Sequence, residues 1–199
     1  MVLTDKVVED CVAKMQADDT LKGLVVPEES FGHGFWTQCK KLERKFYEGV
    51  DWMEAARFFD RKTFDEFSGY DEDNTGTEDY DLPLRIKHQY GEDSISRSAE
   101  YILHNEQRLA FKRTCAKKFY YAQKLDVYKN KLSNQATFKK QANPLHRYRL
   151  FFSKPKLLLR RPHHGLGMLV LKTSELIAGA SGALYGKMSK SKPETNIYG

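Results

Sequence analysis

One acidic stretch, 70-YDEDNTGTEDYDL-82, carries the side chains closest to a chemical site. Calcium loops place oxygen ligands at positions 1, 3, 5, 9 and 12, with glycine at position 6. The first half of the stretch fits this pattern through Asp71, Asp73, Thr75 and Gly76. The twelfth position is Leu82, which offers no oxygen, and Pro83 follows it. We therefore predict that the stretch binds no calcium and forms a solvated acidic turn.

The first half of this stretch resembles the EF-hand motif. The residues before it, 58-FFDRKTFDEFSGY-70, are similar to the aromatic incoming helix of that family. The resemblance lacks the closing ligand, and without that ligand calcium affinity should collapse. A degenerate EF-hand-like calcium binder is accordingly the third of three functional hypotheses.

No other pattern in the sequence indicates catalysis or a metal site. There is no HExxH, no Walker loop and no GxSxG. The three cysteines, Cys11, Cys39 and Cys115, lie far apart and form neither a zinc pairing nor a disulfide framework. His163 and His164 are adjacent, so their side chains diverge and do not readily share one metal. We predict an intracellular, non-catalytic protein without a cofactor.

Charge is distributed very unevenly along the chain. The whole sequence of 199 residues carries +6. Eleven Lys and Arg residues and no Asp or Glu lie between Asp126 and Glu175. The remaining tail contributes +1, which leaves −6 for residues 1–126. An asymmetry of this kind bears on the partners of a protein rather than on its fold.

The elements that must position these charges are predicted to be mainly α-helical. Residues 1–70 show apolar spacings of three and four and predict short amphipathic helices, and residues 71–93 predict an acidic and polar loop. Residues 94–135 contain apolar residues every seventh position, with no Gly or Pro from Ser94 to Leu132, which predicts one long helix.

Residues 136–164 predict an extended basic arm. Prolines at 144, 155 and 162 alternate with basic and aromatic residues, and each proline disfavours helix at the residue before it. We expect this arm to dock on an anionic partner, or to pack on the protein's own helices. The residues predicted to contact the partner are Arg147, Arg149, Phe151, Phe152, Lys154, Lys156, Arg160 and Arg161.

Residues 165–187 predict an apolar helix, followed by a polar tail at 188–199. Basic residues flank this segment on both sides, as they often flank a membrane span. Lys172 and Glu175 oppose insertion, but they are three residues apart and could pair. Small residues at intervals of four would let another backbone approach closely, and they are Ala178, Gly182 and Gly186. Membrane contact and packing against a protein partner both stay open.

These features favour a non-catalytic structural accessory subunit of a large multi-subunit assembly. A basic arm, a small-residue helix and a basic tail suit a subunit docked beside anionic lipid head groups. This order of segments is similar to that of accessory subunits of mitochondrial inner-membrane complexes such as the respiratory chain or ATP synthase. The alternative hypothesis is an RNA-associated, peripheral ribosomal protein, in which the basic tract neutralises phosphates and its aromatics stack on bases.

Overall fold

A computed structural model describes residues 1–74, 77–123, 130 and 135–190. The described chain is mainly helical with two small mixed sheets, so the prediction of a mainly α fold is confirmed at that level. The strands are β1 (Val2–Leu3), β2 (Gly23–Val25), β3 (Glu28–His33), β4 (Ala56–Phe59), β5 (Ile95–Arg97) and β6 (Ile102–Arg108). The helices are α1 (Val7–Ala17), α2 (Phe35–Tyr47), α3 (Arg61–Glu66), α4 (Glu78–Tyr90), α5 (Phe111–Ala122), α6 (Gln135–Ala142), α7 (Pro144–Ser153), α8 (Pro155–Leu159) and α9 (Pro162–Lys190).

The first part of the chain combines short helices with the two sheets. One sheet has the order β1-β6-β3, with β1 antiparallel and β3 parallel to β6. The other has the order β4-β2-β5, with β4 antiparallel and β5 parallel to β2. A core between α1 and these strands is formed by Val7, Cys11, Leu21, Leu24, Val26 and Ile102.

A second core joins α2 to the C-terminal helices. Its buried members come from α2, α7, α8 and α9, and they are Cys39, Phe46, Phe151, Leu158, Met168 and Leu171. Helix α2 contributes Cys39 and Phe46 to this core and also contacts β3 and β6, so it lies between one sheet and the C-terminal helix.

The prediction of one long helix from 94 to 135 is wrong over its first part. Residues 95–97 and 102–108 are strands, and helix begins only at Phe111. Ile95 and Ile102 fit a seven-residue spacing, but both are β-branched and pair with other strands. Ser98 between them donates to the Asp10 carboxylate at 2.6 Å and fixes the chain in a turn. The part of the prediction at 124–129 and 131–134 lies outside the described residues.

The extended basic arm is also wrong, because residues 135–142, 144–153 and 155–159 are helical. Each proline stands at the start of a helix, where its missing N–H costs nothing and its fixed φ suits the first turn. Asn143 caps α7 by accepting a hydrogen bond from the Leu145 N–H at 2.9 Å. The prolines therefore divide this stretch into separate helices and do not give it an extended conformation.

The acidic loop predicted at 71–93 is shorter than expected. Helix α4 begins at Glu78 and contains Pro83 within its second turn. The acidic residues at its start suit the positive end of a helix. The predicted apolar helix at 165–187 is present and longer, since α9 runs from Pro162 to Lys190. Most of the predicted polar tail, 191–199, lies outside the described residues.

Candidate functional site

Of the residues predicted to meet an anionic partner, Phe151 is buried, Arg147 is half-buried and the others are exposed. Phe151 is fully buried and packs edge-on against Phe46, with 5.4 Å between the ring centroids. Arg147 turns inward, and its Nη1 lies 3.4 Å from the Tyr47 hydroxyl. The other predicted residues are exposed, namely Arg149, Phe152, Lys154, Lys156, Arg160 and Arg161.

Exposure and burial follow a period of seven residues through α7, α8 and the start of α9. Phe151, Leu158 and Gly165 are buried. The residue after each of these, namely Phe152, Leu159 and Leu166, is exposed, as is Leu145 seven residues before Phe152, and 59–75% of the surface of these four side chains is accessible. Large apolar side chains at this exposure, grouped among basic ones, mark an interaction surface more often than scattered single residues do. We call Leu145, Phe152, Leu159 and Leu166, together with Arg149, Lys154, Lys156, Arg160 and Arg161, the basic apolar face.

Helix α9 carries a second exposed apolar surface. Val170, Ile177 and Leu184 recur every seven residues and are exposed. Positions seven apart lie close to two helical turns apart and therefore share one side of the helix. We call these three residues the α9 stripe. Within the part of the chain that the structure describes, no hydrophobic cluster includes them.

A charge cluster lies under α9, formed by Lys40 and Glu43 of α2 and by Lys172 and Glu175 of α9. The predicted pairing of Lys172 with Glu175 is confirmed at 2.7 Å. The Lys172 Nζ also lies 2.5 Å from Glu43, and the Lys40 Nζ lies 2.8 Å from Glu43 and 3.0 Å from Glu175. Each carboxylate thus meets both ammonium groups. The Tyr47 hydroxyl donates a further hydrogen bond to Glu43 at 2.5 Å.

The cluster keeps its members charged despite their burial. Burial alone would raise the pKa of Glu43, but the charges of Lys172 and Lys40 outweigh it and hold the pKa below its usual range. The pKa of Glu175 is lowered for the same reason. Burial likewise opposes the charged form of Lys172, and the two carboxylates raise its pKa. The four groups form a neutral, mutually dependent set of two positive and two negative charges.

Two glycines of α9 bring α5 close to this cluster. A Cβ on Gly182 would stand 2.1 Å from the Phe119 carbonyl oxygen, and one on Gly186 would stand 2.4 Å from that of Gln123. These positions of the small-residue pattern therefore lie against the backbone of the chain's own helix, while Ala178 is half-buried. The close approach brings α5, which carries Lys118, against α9.

A cavity of about 560 Å³ opens beside the charge cluster. Its polar wall includes the four cluster residues, Lys118 and Arg147. Its apolar wall includes Leu176, Ala180 and Ala183 of α9, Tyr121 of α5 and Phe138 of α6. Lys118 is exposed to solvent at the cavity wall. Burial, then the charges of Lys40 and Lys172, lower the pKa of the Lys118 ammonium to about 8.

Lys118, Lys40 and Glu43 are not identifiable as site residues from the sequence. Their separation from α9 in the sequence gives no local signal. Lys172 and Glu175 are the only indication of a charge cluster in the sequence, because a charged pair within an apolar helix must find buried partners. Lys118 stands among other lysines of α5, and nothing in its spacing distinguishes it.

The acidic stretch after Tyr70 makes both local and long-range contacts in its described part, since Asp79 pairs with Arg57 at 3.4 Å and the Tyr80 hydroxyl donates to the Met53 carbonyl at 2.9 Å. The Asp73 N–H donates to the Asp71 carboxylate at 2.9 Å, as in an acidic turn. Among the described residues, no group of three or more His, Cys, Asp or Glu side chains could hold a metal ion. The absence of calcium binding stays a prediction, since Thr75 and Gly76 lie outside the described residues.

No helix in the described ranges has both the length and the apolar character needed to cross a membrane. No protein-family model matches the chain, and neither a curated protein nor a solved structure matches it.

Proposed function

We propose that the protein is a non-catalytic accessory subunit that docks on an anionic lipid surface through the basic apolar face. One observation carries this proposal. Four exposed apolar side chains recur every seven residues among five exposed basic ones, in a tract without any acidic residue. Basic helical surfaces with large exposed apolar residues are typical of proteins that lie on membrane surfaces.

The two kinds of side chain supply two kinds of attraction. Each Lys or Arg near an anionic membrane contributes about 1 kcal/mol, and this attraction fades within a Debye length of about 8 Å at physiological salt. Burying a Leu or Phe side chain contributes about 1.5–3 kcal/mol and does not depend on salt in this way. Binding to vesicles should therefore have a salt-sensitive part and a salt-resistant part.

RNA binding is less favoured because the aromatic side chains of the tract are used internally. Phe151 is in the second core, and the Tyr148 hydroxyl lies 2.5 Å from that of Thr173. Phe152 alone of these three is exposed for stacking on a base. The negative charge of residues 1–126 also opposes a nucleic-acid surface.

The α9 stripe supports a protein partner alongside the lipid surface. Val170, Ile177 and Leu184 repeat as the apolar residues of a helix-packing seam repeat. A partner helix in a multi-subunit assembly would cover this stripe while the basic apolar face meets lipid. A mitochondrial inner-membrane complex stays our predicted assembly.

Co-sedimentation with vesicles tests the proposal. We expect the full chain to bind vesicles that contain phosphatidylserine and not to bind phosphatidylcholine alone. Arg160→Glu with Arg161→Glu should abolish binding at low salt, while Phe152→Ala with Leu159→Ala should weaken it at low and high salt alike. Phe151 is left unchanged because it belongs to the second core.

Lys6→Glu with Lys62→Glu is the matched control. It makes the same change in net charge at two exposed lysines of the sheet-containing part. Equal loss of binding in this control and in the Arg160 and Arg161 variant would show only a net-charge effect. Binding to RNA but not to phosphatidylserine vesicles would replace the proposal by the RNA-associated alternative.

A further inference from the structure

Among the described residues, no carboxylate pairs with two of the cations at the cavity. Within the described residues, Lys118 forms no ion pair, and Arg147 contacts only the Gln141 carbonyl at 3.1 Å and the Tyr47 hydroxyl. The other basic residues of the cavity wall are paired with acidic ones, Lys40 and Lys172 within the charge cluster, and Arg44 and Arg57 with Glu28. Because the charge cluster is neutral, Lys118 and Arg147, which both interact electrostatically with Lys172, leave a positive surplus beside the cluster.

Along α9 the lining of the cavity changes from charged to apolar. Lys172 and Glu175 line the cavity, and Leu176 and Ala183, further along the helix, form the apolar end of this lining. The volume of about 560 Å³ lies within the range of about 300–1,000 Å³ found for small-molecule sites. A lining that changes from charged to apolar along one helix suits an elongated molecule with a charged head.

We propose that this cavity binds an anionic amphiphile whose phosphate monoester head meets Lys118 and Arg147 and whose apolar chain lies along Leu176 and Ala183. A phosphate monoester carries close to two negative charges at neutral pH, which balances the two unpaired cations. The arginine guanidinium retains free N–H donors for phosphate oxygens after its two present contacts. This site does not depend on the basic apolar face.

The position of Lys118 explains why an anion is favoured there. Lys40 and Glu43 of α2 and Lys172 and Glu175 of α9 surround it, and the two lysines act on it more strongly than the two carboxylates. Burial first, and then this excess positive potential, lower the pKa of Lys118 and disfavour its charged form in the free protein. An anionic head would reverse this effect, so binding should raise the pKa of Lys118 above about 8.

Isothermal titration calorimetry with octyl phosphate on the full chain at pH 7 tests the site. We expect Lys118→Gln and Arg147→Gln each to weaken binding by about tenfold or more, as loss of a charge-assisted hydrogen bond does. Ala183→Phe should also weaken it by filling the apolar end. Lys112→Gln and Arg149→Gln are the matched controls, because both residues are exposed and lie outside the cavity wall.

Ligand comparisons separate the parts of the proposal. Inorganic phosphate should bind far more weakly than octyl phosphate, because it lacks the chain. Octanoate that binds as tightly as octyl phosphate would overturn the phosphate head, and no heat with octyl phosphate at millimolar concentration would overturn the site. Vesicle binding by the Lys118→Gln variant should equal that of the wild type, so failure here is distinguishable from failure of the proposed function.

A measurement on the wild-type protein tests the site even if the variants fail to fold. Octyl phosphate should slow the reaction of Lys118 with an amine-acylating reagent at pH 8 by several fold and leave exposed lysines such as Lys112 unaffected. Unchanged labelling of Lys118 at a saturating octyl phosphate concentration would place the ligand elsewhere and overturn the assignment.

Discussion

Replacing Lys172 by methionine tests the charge cluster. In the native protein, Lys172 contacts Glu43 at 2.5 Å and Glu175 at 2.7 Å, and all three side chains are buried. Lys172→Met would leave two buried carboxylates with Lys40 as their remaining partner in the cluster. Removing one member of a buried ion pair costs about 3–5 kcal/mol, because the other charge stays buried and uncompensated. For a chain of this size, that corresponds to a fall in Tm of about 6–20 °C.

Urea denaturation at pH 7, followed by circular dichroism, measures this change. The control is Lys187→Met, which alters an exposed lysine of the same helix and should change the free energy of unfolding by less than about 0.5 kcal/mol. Adding Glu43→Gln to Lys172→Met restores charge balance between Lys40 and Glu175. The double variant should therefore be more stable than the sum of the single losses by about 0.5–3 kcal/mol.

Two results would refute this reasoning. One is a Lys172→Met protein within about 1 kcal/mol of the wild type, which is too small for a buried uncompensated charge. The other is additivity of the two substitutions within about 0.5 kcal/mol, which would mean that Lys172 and Glu43 do not interact in solution.

Three further predictions concern pH and helix packing. The folded pKa values of Glu43 and Glu175 are lowered from 4.5. The stability that these groups contribute is therefore fully present above pH 4.5 and should be lost as pH falls through the folded pKa values, which acid unfolding curves would measure. The folded pKa of Lys118 is lowered from 10.5 to about 8, so its contribution to the free energy of unfolding should rise with pH between these values. Because the charged lysine destabilises the folded state at pH 7, Lys118→Gln should raise the Tm at that pH. Gly182→Ala should lower the Tm, because the added Cβ would force α9 away from a backbone carbonyl of α5. The control is Gly179→Ala, whose Cβ meets nothing within 4 Å and which should stabilise the protein by about 0.5–1 kcal/mol in the same Tm measurement.

The helices at both ends of the chain were predictable because their apolar spacing is local. The first two helices and the apolar C-terminal helix show their buried sides in the sequence itself. The prolines at 144, 155 and 162 begin helices and do not produce the predicted extended arm, since a proline that ends one helix can also begin the next. With helices on both sides of each proline, the apolar residues that recur every seventh position from Leu145 to Leu166 form a recognisable pattern in the sequence.

The strands at 95–97 and 102–108 depend on partners far away in the chain. Ile102 pairs with Leu3 and with Glu28, and neither contact leaves a mark in the local pattern. The charge cluster is similar, because Lys172 and Glu175 predicted each other but could not indicate Lys40 and Glu43. The cavity depends on the close approach of α5 and α9, which only the folded chain shows.

The depth of Phe152 in a membrane tests the central proposal most directly. A Phe152→Trp variant should be quenched by lipids brominated on their acyl chains when the vesicles contain phosphatidylserine, after subtraction of the wild-type signal from Trp36 and Trp52. A Tyr90→Trp variant, which places the indole at an exposed position of α4, should not be quenched. Equal quenching at the two positions, or none at position 152 while the protein is bound, would contradict docking through the basic apolar face.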